Sequence, residues 1–280
     1  MIASLGRFIW YELITTDMKA AAAFYSSVVG WETRDASMPG MPYTLFTMTG
    51  TSVSGVIKLP EQAALMGAKP CWIGYVSVDD PAATAGRAVA LGGVVHVPPQ
   101  VIPDISSFAV VADPQGVTFG LFKWLMRGRD HPRDAATLGE VGWHELMAAD
   151  AEKAFAFYSA LFGWQTAATE SGPTGTYQLF SVAGHTSGGM INKPATAPIP
   201  LWLHYFNVGD IDGAMKRVAA GGGQMLYGPV AVPGDKWVVQ GMDPQGAMFA
   251  MMGTRKPDAL GYFKRTEAGE TSSLRFGGRP

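Results

Sequence analysis

The feature that most constrains this sequence is an internal repeat, because the second half of the chain restates the first. A block that begins at Trp10 returns at Trp143, and the offset of 133 residues holds through the glycine–tryptophan pair that follows. Later landmarks return at a slightly smaller offset, so the second copy carries a small net deletion. The matched positions are Trp10 and Trp143, Glu12 and Glu145, Asp17 and Asp150, Gly30 and Gly163, and Asp113 and Asp243. This many matches predict two tandem copies of one domain.

Each copy divides again into two similar units. In every unit a run typical of a strand ends near an aspartate, and a run with helical spacing follows. Aspartate suits a helix N-terminus because its carboxylate accepts backbone N–H groups, and glycine suits the end because it adopts left-handed backbone angles. The predicted helices follow Asp17, Asp80, Asp150 and Asp210 and stop at Gly30, Gly92, Gly163 and Gly221. Short alternating runs come next, so the unit is strand–helix–strand–strand–strand and the fold class is α+β.

The four units also define the predicted domain boundaries. Residues 7–124 form the first domain and residues 140–253 the second. The segment 125–139 carries more charge than the rest of the chain and is predicted to be a linker. Residues 254–280 are polar and basic, which predicts a poorly ordered tail or an arm that lies on a neighbouring surface.

Composition narrows the classes of function. With 21 basic and 23 acidic residues the formal charge is −2, which does not indicate a nucleic-acid partner. Cys71 is the only cysteine, so an intrachain disulfide and a zinc–thiolate cluster are both excluded. No apolar run approaches the roughly 18 residues that span a bilayer, and the N-terminus does not have the pattern of a signal peptide. We therefore expect a cytoplasmic protein, monomer or homodimer, without membrane or nucleic-acid partners.

Paired and duplicated βαβββ units resemble the vicinal oxygen chelate superfamily, which includes glyoxalase I, extradiol dioxygenases and bleomycin resistance proteins. The motifs that carry the resemblance are the Phe-Tyr pair on the first helix, the Gly-Trp that ends it and the Asp-Pro-Gln-Gly turn before the last strand. The resemblance implies two glyoxalase-like domains whose curled mixed sheets surround a cavity for a small molecule. It leaves open whether the chain is an enzyme, such as a lyase, an isomerase or an oxygenase.

Metal enzymes of this superfamily bind a divalent ion inside the curled sheet, typically through His or Glu. The equivalent positions here are Trp10, Lys58, Ile73 and Gly120 in the first copy, and Trp143, Asn192, Leu203 and Ala250 in the second. None is a usual metal ligand, and a lysine would repel a cation. We therefore predict no metal and no other cofactor. A one-residue shift would bring His144 and His204 onto ligand strands of the second copy, but without the carboxylate of a facial triad.

Two glutamates are the candidate catalytic residues. If Trp10 and Trp143 face the cavities, so do Glu12 and Glu145, because side chains two residues apart on a strand share a face. A carboxyl group in an apolar cavity either binds a polar ligand group or acts as a general base with a raised pKa. The alternative is a buried structural glutamate that fastens the strand to its neighbours.

The other candidate residues are predicted to bind the ligand or to pair with the glutamates. Lys58 is a predicted partner of Glu12, and Asn192 or Lys193 of Glu145, if the first and fourth strands of a unit are neighbours. The predicted ligand-binding residues are Trp10, Lys58, Tyr75, Trp143, His144, Asn192, His204 and Tyr205.

Three functions remain in competition. The first is a metal-independent protein that binds or transforms a small, partly hydrophobic or aromatic metabolite. The second is a divalent-metal-dependent lyase, isomerase or dioxygenase that uses His144 and His204 in the second domain. The third is a non-catalytic interaction protein whose cavities are filled by its own side chains.

Overall fold

The computed structural model describes residues 4–126, 134–172, 175–195 and 197–255. It has the predicted α+β architecture, with two tandem domains that each contain one curled, eight-stranded mixed sheet built from two βαβββ units. Part of the predicted linker, 127–133, and nearly all of the predicted tail, 256–280, lie outside the described residues. Within the described residues no helix is long and apolar enough to cross a membrane.

Domain 1 contains the first eight strands and three helices. The sheet order is β2-β3-β4-β1-β5-β8-β7-β6, so the first strands of the two units, β1 and β5, are antiparallel neighbours at its centre. The elements are β1 (Phe8–Thr15), α1 (Met18–Val29), β2 (Glu32–Asp35), β3 (Thr44–Met48), β4 (Thr51–Lys58), α2 (Glu61–Leu65), β5 (Cys71–Ser77), α3 (Pro81–Ala90), β6 (Val94–Ile102), β7 (Ser106–Ala112) and β8 (Thr118–Trp124).

Domain 2 repeats this arrangement, but its described residues show no counterpart of the short linking helix α2. Its sheet order is β10-β11-β12-β9-β13-β16-β15-β14, with β9 and β13 antiparallel at the centre. The elements are β9 (Val141–Ala148), α4 (Ala151–Phe162), β10 (Gln165–Gly172), β11 (Gly175–Val182), β12 (His185–Asn192), β13 (Leu201–Val208), α5 (Ile211–Ala220), β14 (Gln224–Val232), β15 (Lys236–Met242) and β16 (Met248–Gly253).

The predicted helix signals are confirmed with one exception. The side chain of Asp17 accepts a hydrogen bond from the backbone N–H of Ala20 at 2.9 Å, and the other three aspartates cap their helices in the same way. Gly92 adopts the left-handed conformation after α3, with φ 91°. The prediction for Gly221 is wrong by one residue, because Gly221 has φ −83° and Gly222 takes the left-handed angle of 81° instead.

The four long helices lie between the two sheets, where they join the domains. Helix α1 packs on α5 and α3 packs on α4, so each main core combines one unit of each domain. At the centre of one core, Tyr25 on α1 donates a hydrogen bond to Asp243 of the opposite domain at 3.1 Å. Tyr158 on α4 donates to Asp113 at 3.2 Å in the same way. Because the helices fill the space between the sheets, the other face of each sheet points away from the partner domain.

These outward, concave faces each carry a separate, smaller cluster of apolar side chains. We call the face of the first sheet cup 1 and define it by Trp10, Glu12, Tyr43, Tyr75, Val110 and Phe122. We call the face of the second sheet cup 2 and define it by Trp143, Glu145, Tyr177, Tyr205, Gln240 and Met252.

Candidate functional site

In cup 1 the carboxyl group of Glu12 is held by two tyrosine hydroxyls. Tyr43, just before β3, donates to Oε1 at 2.8 Å, and Tyr75 on β5 donates to Oε2 at 2.8 Å. The indole Nε1 of Trp10 donates in turn to the Tyr43 hydroxyl at 3.2 Å. Each carboxyl oxygen therefore receives one hydrogen bond from the protein, which fixes the orientation of the group.

Two glycines make room for these tyrosine rings. Gly55 is the β4 residue paired with Glu12, and a Cβ atom added there would overlap the hydroxyl end of Tyr43. Gly120 on β8 is paired with Tyr75, and a Cβ atom there would overlap the Tyr75 ring. Because neither glycine has a side chain, the two tyrosine rings can lie across the sheet at these positions and reach the carboxyl group.

Cup 2 repeats the cluster with one addition. Tyr177 and Tyr205 both donate to Glu145 at 3.1 Å, and Nε1 of Trp143 donates to the Tyr177 hydroxyl at 2.9 Å. The added residue is Gln240, whose side-chain amide donates to Glu145 at 3.3 Å and to the Tyr205 hydroxyl at 2.8 Å. In cup 1 the corresponding position holds a valine, so that carboxyl group has one fewer donor.

The electrostatics of the two clusters are set by burial. Desolvation raises the pKa of Glu12 and of Glu145 above the usual range, and the tyrosine hydrogen bonds oppose this shift in part. Burial and the neighbouring carboxyl group raise the pKa of Tyr75 well above its ordinary value, so its hydroxyl remains a donor. As whole residues, both glutamates are half-buried rather than fully enclosed.

The predicted partners of the glutamates are wrong, and the sheet register explains why. Strand β4 does lie beside β1, but Glu12 pairs with Gly55, whereas the exposed Lys58 pairs with Thr15 at the end of the strand. Asn192 is exposed and accepts a hydrogen bond from the backbone N–H of Ala151 at 2.7 Å, at the start of α4.

Lys193 is also engaged elsewhere, since its ammonium donates to the carbonyl oxygen of Ala197 at 2.7 Å. Tyr43 and Tyr177, which lie at or just before the start of the third strand of their units, were not predicted to be carboxyl partners, and neither was Gln240. The repeated glycines Gly55 and Gly189 on the fourth strands were a usable signal, because both make room for a ring on the same face.

His144 and His204 lie on the opposite face of the sheet from Glu145, at the interface between the domains. Nδ1 of His144 lies 2.8 Å from the carbonyl oxygen of Ser187 and so carries the proton, and the Tyr11 hydroxyl donates to Nε2 at 2.6 Å. His204 is 1% exposed, and neither of its nitrogens has a hydrogen-bond partner among the described residues. Burial lowers the pKa of His144 to about 4 and that of His204 well below its usual value.

A cavity of about 370 Å³ adjoins this interface and is lined in part by Tyr11 and His144. The pair of histidines is therefore separated by the sheet from the glutamate and the aromatic side chains of cup 2. The structure does not bring the ten predicted site residues into one site. It brings Trp10, Glu12 and Tyr75 together in cup 1, and Trp143, Glu145 and Tyr205 in cup 2.

The residues of the cups do not fit the divalent metal that the fold suggests. Each defined cup offers a single carboxyl group, and both of its oxygens already accept hydrogen bonds from tyrosines. Across the part of the chain that the structure describes, no group of three or more His, Cys, Asp or Glu residues is placed to hold a metal ion. Cys71 faces cup 1, but burial raises the pKa of its thiol to about 11, so the thiolate that a metal prefers is disfavoured.

Comparison with known proteins identifies the family of this fold. The model of the Glyoxalase/Bleomycin resistance protein/Dioxygenase superfamily matches residues 7–121 and 140–251. The Mycobacterium tuberculosis protein CFP32 is 31% identical over 248 residues, which cover 87% of this chain and 93% of that protein. The anthracycline biosynthesis protein DnrV of Streptomyces peucetius is 29% identical over 268 residues, with coverage of 90% and 95%.

Solved structures share the same fold at low sequence identity. The Mn(II)-bound glyoxalase from Novosphingobium aromaticivorans superposes with a TM-score of 0.61 and 14% identity, covering 90% of this chain and 83% of that one. The 2,3-dioxygenase LapB from Pseudomonas sp. KL28 superposes with a TM-score of 0.60 and 11% identity, covering 91% and 94%. The family match across both domains and the shared fold agree, and the chain belongs to the glyoxalase/bleomycin resistance protein/dioxygenase superfamily.

Proposed function

We propose that this protein binds a small, partly aromatic molecule in its concave cups without a metal ion, with Glu12 and Glu145 as the polar anchors. The observation that carries the proposal is the duplicated cluster of one glutamate, two tyrosines and one tryptophan on the two outward faces. Apolar, aromatic walls with a few placed polar groups are what small-molecule sites use.

The geometry explains how each carboxyl group would act as an anchor. Two tyrosine hydroxyls approach Glu12, one at each oxygen, and a carboxylate oxygen accepts more than one hydrogen bond. The remaining lone pairs are available to a hydroxyl or N–H group of a ligand. Because the tyrosines already fix the carboxyl orientation, little conformational entropy is lost when the ligand binds.

The relatives support an aromatic ligand. DnrV and DauV are anthracycline biosynthesis proteins, and anthracyclines carry a planar, fused-ring body with hydroxyl groups. A ligand of that kind would place rings against the tryptophan and tyrosine walls and a hydroxyl against the glutamate. We propose this chemical class for the present chain on the strength of the cups and the similarity together.

A catalytic role of the same glutamates is the second candidate function. Burial raises the pKa of Glu12 and Glu145, which makes each carboxylate a better proton acceptor than an exposed one. A ligand hydroxyl or an acidic C–H group held against the carboxylate would then lose its proton to it. If so, turnover follows a pH profile with an apparent pKa above that of an ordinary glutamate, and the glutamine variants lose turnover more than binding.

The test is a titration with an anthracycline in which binding is measured by the quenching of tryptophan fluorescence. We expect Glu12→Gln combined with Glu145→Gln to weaken binding about tenfold or more, since each loses a charged hydrogen-bond acceptor. The exposed Glu152→Gln on α4 is the matched control and should bind like the wild type. Pretreatment with EDTA should leave the affinity unchanged. Loss of binding with EDTA, or unaltered binding by the double variant, would overturn the proposal.

A further inference from the structure

The two cups share their polar cluster but differ in their apolar walls. Cup 1 carries Phe108 on β7 and Phe122 and Trp124 on β8. The repeat places Val238, Met252 and Thr254 at the corresponding positions of domain 2. The duplication therefore preserved the glutamate and its tyrosines while the surfaces beside them diverged.

In cup 1 the aromatic side chains form a continuous series of edge contacts. The ring centroids of Trp10 and Trp124 are 5.9 Å apart with an interplanar angle of 81°. Those of Phe122 and Trp124 are 4.7 Å apart with an angle of 74°. Tyr75, which binds Glu12, meets Phe122 at 5.9 Å and 80°. Trp124 and Phe108 are only partly buried, and Trp124 also lines the cavity at the domain interface. Rigid rings that already contact one another edge to face offer a further ring defined places to bind.

The wall of cup 2 is flexible and aliphatic instead. Met248 and Met252 on β16 and Val238 on β15 pack partly buried around Tyr205 and Trp143. Among the described residues neither Trp143 nor Tyr205 forms a stacked or edge-on ring pair, and Trp143 meets Tyr177 only through a hydrogen bond to its hydroxyl. Methionine side chains are unbranched and adapt to irregular shapes, so this wall suits a chain that bends better than a flat ring.

The polar groups differ in the same direction. Glu145 receives three hydrogen bonds, from Tyr177, Tyr205 and Gln240, so its capacity for a ligand donor is reduced. Glu12 receives two, and the residue corresponding to Gln240 is Val110. Cup 1 therefore keeps the more available acceptor beside the more aromatic wall.

We propose that cup 1 is selective for a planar aromatic ring that bears a hydroxyl group, and that cup 2 is selective for a flexible aliphatic molecule. The hydroxyl donates to Glu12 while the ring packs between Trp124, Phe122 and Phe108. This inference rests on the proposed function, because it assigns a ligand class to each of the two proposed sites.

Isothermal titration of the full chain with 2-naphthol and with 1-octanol tests the inference. We expect one saturable site for each probe. Phe122→Met gives cup 1 the residue found at the corresponding position of cup 2. It should weaken the binding of 2-naphthol about tenfold and leave the affinity for 1-octanol unchanged. Met252→Ala should weaken the binding of 1-octanol and leave the affinity for 2-naphthol unchanged. Thermal melts of both variants confirm that they fold.

The outcomes separate this inference from the proposed function. Two equivalent sites for 2-naphthol, or a loss of 2-naphthol binding in Met252→Ala but not in Phe122→Met, would overturn the selectivity while leaving two functional cups. Trp124→Ala is a second variant that tests cup 1. It removes a partly exposed ring, whereas Phe122→Met changes a buried position of the sheet. Absence of heat and of thermal stabilisation with both probes and with an anthracycline would overturn the proposed function itself.

Discussion

At the residue scale, the two glutamates show how a carboxyl group is retained on an apolar face. An unpaired buried carboxylate is costly, and here the cost is reduced by two tyrosine hydroxyls for Glu12 and by two tyrosines and an amide for Glu145. In each cluster the carboxyl group links neighbouring strands through tyrosine hydroxyls, while the glutamate itself remains half-buried rather than fully enclosed.

The raised pKa of both glutamates predicts a specific dependence of stability on pH. The folded protein holds protons that the unfolded chain, with a glutamate pKa near 4.5, has released. The contribution of these two carboxyl groups to the free energy of unfolding is therefore fully present below pH 4.5 and is lost as the pH rises through their folded-state pKa values. Glu12→Gln combined with Glu145→Gln removes this decline, so the free energy of unfolding of the double variant should increase relative to that of the wild type as the pH rises above 4.5.

Urea denaturation at several pH values measures that difference. Every other titrating group is common to both proteins, so its contribution cancels when the two curves are subtracted. The exposed pair Glu61→Gln and Glu152→Gln is the control for the loss of two carboxyl groups elsewhere on the surface. Parallel curves for the double variant of the cups would show that the glutamates titrate normally.

At the element scale, the strands and helices were predictable because their signals are local. Aspartate caps, helical spacing and left-handed glycines act within a few residues, so the order of elements followed from the sequence. The partners of Glu12 were not predictable in this way. They depend on the long-range register between β1 and β4, in which Gly55 rather than Lys58 lies opposite the glutamate, and the repeated glycines of the fourth strands are the sequence signal that indicates it.

The close approach of strand and ring at Gly55 predicts a strong effect of one added methyl group. Gly55→Ala should displace the Tyr43 ring, break its hydrogen bonds to Glu12 and Trp10, and lower both ligand affinity and stability, the latter by about 2 kcal/mol. Gly86→Ala is the matched control, because Gly86 lies within α3 with open space around it. It should raise stability by about 0.5–1 kcal/mol. Chemical denaturation and the anthracycline titration measure both, and wild-type behaviour of Gly55→Ala would contradict the described packing.

At the scale of the whole molecule, the domains meet around residues related by the repeat. Tyr11 and His144 occupy equivalent positions and bond to each other, and the His204 ring lies over Gly74, its own equivalent. A Cβ atom at Gly74 would approach the His204 ring to 2.5 Å. The interface therefore uses a different residue in each copy at the same position, which a fused chain allows and two identical subunits would not.

The buried His204 predicts how this interface responds to acid. Burial and the neighbouring His144 hold the pKa of His204 well below 6.5, so the unfolded chain takes up a proton there that the folded protein does not. The stability that depends on this ring is complete above pH 6.5 and is lost as the pH falls. His204→Phe keeps a ring over Gly74 but removes the group that takes up the proton. The free energy of unfolding of the variant should therefore increase relative to that of the wild type by about 1 kcal/mol per pH unit below pH 6.5. Urea denaturation at pH 7, 6 and 5 measures this gain, with the exposed His185→Asn as a control. If the free energies of unfolding of His204→Phe and of the wild type ran parallel with pH, the prediction would be wrong. Such a result would mean that solvent reaches the ring, because the domains separate before the ring takes up its proton.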